Sequence, residues 1–165
     1  MERSLQTYNI GKAWLSVIQT YQVCATRYEE LLDYFGLTLA QFDALVAIER
    51  LGDQALPKNI ADTLLVTRGN VTGLLKRMRV ANLIERLPHP TDGRASIVQL
   101  TRSAQQQLKH AKRATRNFIT EQVRPFTDPE LESTQNLMQA MHSHLLTMDV
   151  QAIAETSTVQ ETGTP

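Results

Sequence analysis

The 165-residue sequence lacks the features that tie a protein to a membrane, an oxidising compartment or a metal. A single cysteine, Cys24, excludes an internal disulfide. No apolar run approaches the ~18–20 residues of a membrane-spanning helix, and the polar N-terminus lacks a signal-peptide core. The histidines lack the spacing of zinc ligands, and the sequence shows neither a nucleophile–base arrangement nor a phosphate-binding glycine loop. We therefore expect a cytoplasmic protein that is not an enzyme and needs no metal or cofactor.

The sequence also lacks net charge, but its charges are unevenly distributed. The 17 basic and 17 acidic residues cancel overall. Residues 56–113 contain 11 of the basic and 3 of the acidic residues, a local net charge of +8, which leaves −8 for the remainder. A basic segment between acidic flanks is typical of a module that binds an anion such as DNA, although surface charge can also segregate without a partner.

Helical periodicity dominates the N-terminal part of the chain. Apolar residues recur at spacings of three and four from Leu5 to Phe35, which predicts one long amphipathic helix that ends at Gly36. A second helix is predicted from an N-cap at Thr38 to a stop at Gly52. Pro57 then begins a brief helix, since a missing N–H matters least in the first turn.

The period changes once along the chain, after a helix that runs from its N-cap Thr67 to Asn82, where a left-handed residue is expected. Alternating apolar residues predict strands at Leu83–Leu87 and Ala95–Leu100, joined by a Pro/Asp/Gly turn at Pro88–Gly93. A helix–turn–helix followed by a hairpin is a winged helix.

Two more helices are predicted after the hairpin. One is capped by Thr101 and ends near Pro125, and the next begins at a cap-like Asp128-Pro129. From Gln151 the chain is polar and rich in threonine, which predicts a frayed tail. The fold class is therefore mainly α: a winged helix–turn–helix with long N- and C-terminal helices and one β-hairpin wing.

The helix "TRGNVTGLLKRM" (residues 67–78) contains two glycines, Gly69 and Gly73, whose cost to helix stability needs an explanation. Each glycine in a helix interior costs ~1 kcal/mol relative to alanine. A helical projection places the apolar residues on one stripe and centres the opposite face between the two glycines. The stripe consists of Val71, Leu74, Leu75 and Met78, and the glycine face is flanked by Asn70, Thr72, Lys76 and Arg77.

This glycine face is suited to reading a DNA groove. A recognition helix must bring its axis close to base edges in the ~12 Å major groove, and small residues permit that approach. Asn70 and Thr72 can bond to bases, while Lys76 and Arg77 can reach phosphates or guanine edges. A solvated polar face is the alternative, but solvent offers nothing to offset the cost of the glycines.

The predicted wing supplies a second contact. Arg94 lies near the tip of the turn, and an arginine on a thin loop suits the negative potential of a narrow minor groove. Asp92 is expected to support the turn through hydrogen bonds rather than to face phosphate.

The run from "GLTLAQFDALVAIERLG" through "PKNIADTLLVTRGNVTGLLKRMRVANLIERLPHPTDGRASIVQLT" resembles the MarR family of multiple-antibiotic-resistance-type regulators. Four short motifs carry this resemblance. They are the N-x-T of the helix at residues 67–78 (the reader helix), "LIER" before the wing, "DGRA" and the closing "LT". It implies a homodimeric winged-helix transcriptional regulator, commonly a repressor, that binds a pseudo-palindromic double-stranded operator. The DNA contacts that it implies are Arg68, Asn70, Thr72, Gly73, Lys76, Arg77 and Arg94.

The resemblance also implies how the chain is divided. Residues 1–36 and 102–149 would form dimerisation helices, residues 37–101 the DNA-binding domain and residues 150–165 a flexible tail. The alternative to a DNA-binding regulator is a winged helix that binds another protein, which differs because phosphate-dominated binding weakens steeply with salt.

The effector is the least specified part of the prediction. Members of the family usually respond to small aromatic acids, phenols or oxidants. Trp14, Tyr21, Tyr28 and Phe42 are candidates to line a cleft for an aromatic or phenolic ligand, although aromatics at helical spacing also form ordinary core. Cys24 is a candidate oxidation sensor, with a buried, inert thiol as the alternative.

Overall fold

The computed structural model describes residues 10–89 and 96–159, which form helices and one antiparallel hairpin. Their order confirms the predicted winged helix–turn–helix between long terminal helices. In chain order the elements are α1 (Ile10–Asp33), α2 (Leu39–Leu51), a 3-10 turn (Gly52–Gln54), α3 (Pro57–Leu64), α4 (Arg68–Val80), β1 (Ile84–Pro88), β2 (Ser96–Leu100), α5 (Arg102–Val123), α6 (Asp128–Thr147) and α7 (Val150–Val159).

Local sequence signals set the helix ends in the winged-helix part. Thr38 and Gln41 form a capping box at the start of α2, in which each side chain bonds to the other residue's backbone N–H. The hydroxyl of Thr101 accepts from the N–H of Ala104 at the start of α5. Asn82 has a φ of +56°, which confirms the predicted left-handed stop, and Gly36, after the end of α1, is also left-handed with a φ of +63°.

The chain divides into two compact units, residues 1–119 and 120–165, with the boundary inside α5. The first unit holds the hydrophobic core, to which α1, α2, α3, α4, the hairpin and the start of α5 all contribute. A backbone hydrogen bond from Val98 to the carbonyl of Ala55 (2.9 Å) ties β2 to the segment after α2. The largest fully buried side chains are those of Leu32, Leu45, Ile48, Ile60, Val71, Leu75, Met78, Val98 and Leu108.

Two features of the second unit differ from the sequence prediction. Helix α6 is capped by Thr127 rather than by Asp128-Pro129, because Glu130 reaches back to the Thr127 backbone N–H at 2.8 Å. Val150–Val159 form helix α7, so the frayed tail predicted from Gln151 onward is wrong over these residues. Asp149 begins that helix, since its carboxylate accepts from the N–H of Ala152 at 3.0 Å.

In the part of the chain that the structure describes, none of the helices combines the length and apolarity that crossing a membrane requires.

Candidate nucleic-acid interface

Helix α4 is anchored to the core by one face. Its first turn is capped by Thr67, whose hydroxyl accepts from the N–H of Asn70 at 3.3 Å. The predicted apolar stripe is buried, which fixes the rotation of the helix about its axis. The stripe comprises Val71, Leu74, Leu75 and Met78.

The opposite face of α4 brings together the residues predicted to contact DNA. Gly73 is partly buried and the others are exposed. The ion pairs found in the described residues are Arg27–Glu30, Glu49–Lys112 and Glu121–Arg124, so the α4 cations take part in none of them. The charges of this face are therefore not neutralised by these bridges. The exposed residues are Arg68, Gly69, Asn70, Thr72, Lys76 and Arg77.

Packing within the protein does not explain why α4 contains two glycines. A Cβ added to Gly69 would meet nothing within 4 Å. A Cβ added to Gly73 would lie 3.5 Å from Nη1 of Arg77, the mobile end of a long side chain, which is ordinary contact. An alanine would fit at both positions and would favour the helix, so the fold itself does not require glycine at either one.

The hydroxyl of Thr72 has a restricted hydrogen-bonding role. It donates to the carbonyl of Arg68 at 2.8 Å, the i−4 bond that threonine often makes inside a helix. In this rotamer its remaining lone pairs can only accept. This restriction could not be predicted from the sequence, because it depends on the side-chain rotamer.

A groove of about 240 Å³ runs beside α4 and was not predicted from the sequence. It forms where α2 and the α3–α4 turn pack beside the reader helix. Asp43 lines this groove, and although its side chain is exposed to solvent, partial desolvation by its neighbours raises its pKa. The lining residues are Ala40, Asp43, Leu64, Val66, Asn70, Leu74 and Arg77.

The wing is described only at its base. Strands β1 and β2 pair antiparallel from Ile84↔Leu100 to Pro88↔Ser96. Asp92 and Arg94 lie outside the described residues.

The structure brings together only two of the four aromatic residues predicted to line an effector cleft. Tyr28 packs edge-to-face on Phe42 with ring centroids 6.1 Å apart, and its hydroxyl lies 3.2 Å from Oγ1 of Thr115. Trp14 and Tyr21 are 58% and 72% exposed. The Tyr28–Phe42 pair forms part of the core margin, because Phe42 is itself buried.

Two other predictions concern Cys24 and metal ligation. Cys24 is partly buried in α1. Residues 10–89 and 96–159 contain no group of three or more His, Cys, Asp or Glu side chains placed to hold a metal ion.

Residues 35–95, which span α2, α3, α4 and β1, match a family model described as "MarR family". This segment of the chain is similar to the MarR family. Its fold is that of winged-helix MarR-like structures.

Known proteins resemble the chain over most of its length. The HTH-type transcriptional repressor IacR of Pseudomonas putida is 20% identical over 120 residues, which cover 73% of this chain and 71% of IacR. The solved MepR–DNA complex of S. aureus has 20% identity and a TM-score of 0.69, and the match covers 80% of this chain and 96% of MepR.

A third relative was solved with a small molecule. The organohalide-sensing regulator RdhR-CbdbA1625, in its 2,4-dichlorophenol-bound form, has 15% identity and a TM-score of 0.70. The match covers 87% of this chain and 86% of that protein. At this level of identity the two structural likenesses establish the winged-helix fold alone.

Proposed function

We propose that the protein is a homodimeric repressor that binds a pseudo-palindromic double-stranded DNA operator sequence-specifically. In this proposal residues 37–101 bind DNA, and residues 1–36 and 102–149 form the dimer. The observation that carries the proposal is the exposed face of α4, on which cations surround two glycines that no internal contact requires.

The α4 face supports DNA binding through three complementary features. Lys76 and Arg77 supply charge for phosphates or guanine edges, and Asn70 supplies an amide for adenine. Gly69 and Gly73 permit the helix axis to approach the base edges. Thr72 completes the face as an acceptor toward exocyclic amino groups, and Arg68 adds a cation to the first turn of the helix, whose N-terminus attracts phosphate. Arg94 in the wing, supported by Asp92, is proposed to enter the minor groove.

The dimer proposal is supported by apolar side chains that the first and sixth helices leave in solvent. Large apolar residues on a solvent-facing helix are typical of a surface that another chain covers. A two-fold dimer places two reader helices about one DNA turn apart, ~34 Å, which matches a palindromic site. The exposed residues are Trp14, Leu15, Tyr21 and Val23 on α1, and Leu137, Met138, Leu145 and Leu146 on α6.

The repressor role and the effector rest on the relatives named above. IacR is named a repressor, and RdhR-CbdbA1625 was solved with a chlorinated phenol. We propose that a small aromatic or phenolic ligand releases this protein from DNA by changing the separation of the two reader helices. Of the four predicted cleft residues, Tyr28 and Phe42 are the pair whose packing such a ligand would disturb.

The test of DNA binding compares Gly73→Leu with the wild-type protein on duplex DNA from upstream of its own gene. A leucine at the centre of the α4 face holds the helix away from the groove, so affinity should fall at least about 100-fold, toward non-specific binding. The circular dichroism spectrum should be unchanged and the melting temperature should not fall, because the added side chain points away from the core and replaces a glycine that costs helix stability. The control is Val80→Leu, which also places a leucine on α4 but at an exposed position near the end of the helix, and it should bind normally.

Three results would contradict parts of the proposal. Full binding by Gly73→Leu would remove the explanation for the glycines. Wild-type binding that does not weaken as salt rises would exclude phosphate-dominated recognition. A strictly monomeric protein by analytical ultracentrifugation would exclude the model with two half-sites.

A further inference from the structure

Leu65, in the turn between α3 and α4, has an unusual backbone conformation. Its φ and ψ are +54° and +38°, in the left-handed region, where it forms the C-cap of α3. Its N–H donates to the carbonyls of Ala61 and Asp62, and the N–H of Val66 donates to Ala61 at 3.1 Å. Glycine or asparagine usually occupies such a position, because a Cβ crowds the backbone there.

The side chain of Leu65 gains nothing within the fold that would offset this strain. It is 92% exposed, the most exposed of the large hydrophobic residues described. The equivalent stop after α4 is occupied by Asn82, which tolerates the same conformation at lower cost. A leucine that is both strained and solvated points to a partner outside the monomer, since strain that persists at one residue marks a functional constraint.

The position of Leu65 identifies the partner. It lies two residues before Thr67, the N-cap of α4, and three before Arg68, the first cation of the proposed DNA face. Val66, between them, is 42% exposed, so the turn presents two apolar side chains next to the end of the reader helix. Recognition helices contact base edges with their N-terminal residues, which brings this turn to the side of the groove.

We infer that Leu65, assisted by Val66, makes an apolar contact to DNA where the N-terminus of α4 enters the major groove. The apolar groups available there are deoxyribose C–H groups and thymine methyl groups. The inference rests on the proposed function and adds to it a residue whose contribution is independent of charge. It predicts that stability and DNA affinity change in opposite directions when Leu65 is replaced.

The experiment uses full-length Leu65→Asn and Leu65→Gly. Both residues accept the left-handed conformation, so the melting temperature should rise by about 2–4 °C. Operator affinity should fall about three- to tenfold, the loss expected for one apolar contact. The slope of log affinity against log salt should not change, because no phosphate contact is lost.

The control is Val80→Asn, at the opposite end of α4, where the side chain is 82% exposed. It should leave operator affinity unchanged, which separates the position of Leu65 from a general effect of removing surface apolar groups.

A second arm replaces thymine by uracil in the operator. If Leu65 contacts a thymine methyl, wild-type affinity falls on the uracil duplex and Leu65→Asn loses nothing further. If the contact is to deoxyribose, the wild type is indifferent to uracil and the variant remains weak. Either result supports the inference.

Variants that melt higher yet bind as tightly as the wild type would overturn the contact. Variants that lose stability and affinity together would also overturn it, because they would show an ordinary structural role. Failure of the wild type to bind any duplex would instead overturn the proposed function itself, and this contact with it.

Discussion

The winged-helix part of the molecule and its terminal helices use apolar residues in opposite ways. Between Leu37 and Leu100, most of the large apolar side chains are buried in one core, and the surface of α4 is cationic. In α6 none of the residues is buried, although Leu137, Leu145 and Leu146 are large and apolar. The winged helix thus shares one buried core with α1 and the start of α5 and exposes cations on α4, while α6 leaves large apolar side chains exposed.

The largest effect is expected from a substitution in the core of the winged helix. Leu75 on α4 is fully buried, so Leu75→Ala should lower the free energy of unfolding by roughly 2–5 kcal/mol, measured by chemical denaturation. Leu145→Ala on α6 should change the unfolding of the isolated subunit little, because the side chain is exposed. It should instead raise the dimer dissociation constant about tenfold or more, since a two-fold interface loses the side chain twice.

Sedimentation at several protein concentrations separates these two effects. A dissociation constant unaffected by Leu145→Ala would place this face of α6 outside the dimer interface. A fully stable Leu75→Ala would contradict the burial of the α4 stripe.

A smaller effect is expected at the charged surface of the winged helix. Lys76 is exposed on the proposed DNA face, whereas Lys109 is exposed on α5, within the same basic segment of the sequence. Lys76→Ala should weaken operator binding severalfold and reduce the salt slope by about one, as expected for one lost phosphate contact. Lys109→Ala should change neither quantity.

Salt titrations of binding by fluorescence anisotropy measure both slopes. Equal effects of the two lysine substitutions would mean that net charge of the segment, rather than the α4 face, attracts the DNA.

The elements that could be predicted from the sequence are those set by local signals. Thr38 and Thr67 were predicted as caps and Asn82 as a left-handed stop because these residues bond to, or tolerate, the backbone of their own turn. The buried stripe of α4 followed from periodicity alone. Each of these signals lies within a few residues of its effect.

The features that could not be predicted depend on packing or on weak signals. The groove that contains Asp43 exists only when α2 lies beside α4. The left-handed Leu65 could not be predicted, because leucine is a poor residue for that conformation. The aromatic residues of the cleft were candidates through the family resemblance, and neither that resemblance nor their spacing shows that Trp14 faces solvent while Phe42 is buried.

The smallest expected effects concern two carboxyl groups, one in each region, whose pKa shifts are opposite. Burial raises the pKa of Asp43 beside α4. Hydrogen bonds from the backbone N–H and the hydroxyl of Thr127, both at 2.8 Å, lower the pKa of Glu130 at the start of α6. The Asp43 carboxylate therefore opposes folding at neutral pH, and the Glu130 carboxylate favours it.

The two signs can be separated by thermal unfolding across pH. At pH 7, Asp43→Asn should raise the melting temperature and Glu130→Gln should lower it. Glu130 loses its stabilising contribution as the pH falls from its unfolded-state pKa through its lower folded-state pKa. The penalty at Asp43 is relieved as the pH falls through its raised folded-state pKa toward the unfolded value. Both differences from the wild type should shrink below these ranges, and a difference at Asp43 that persists in acid would show that burial of its charge is not the cause.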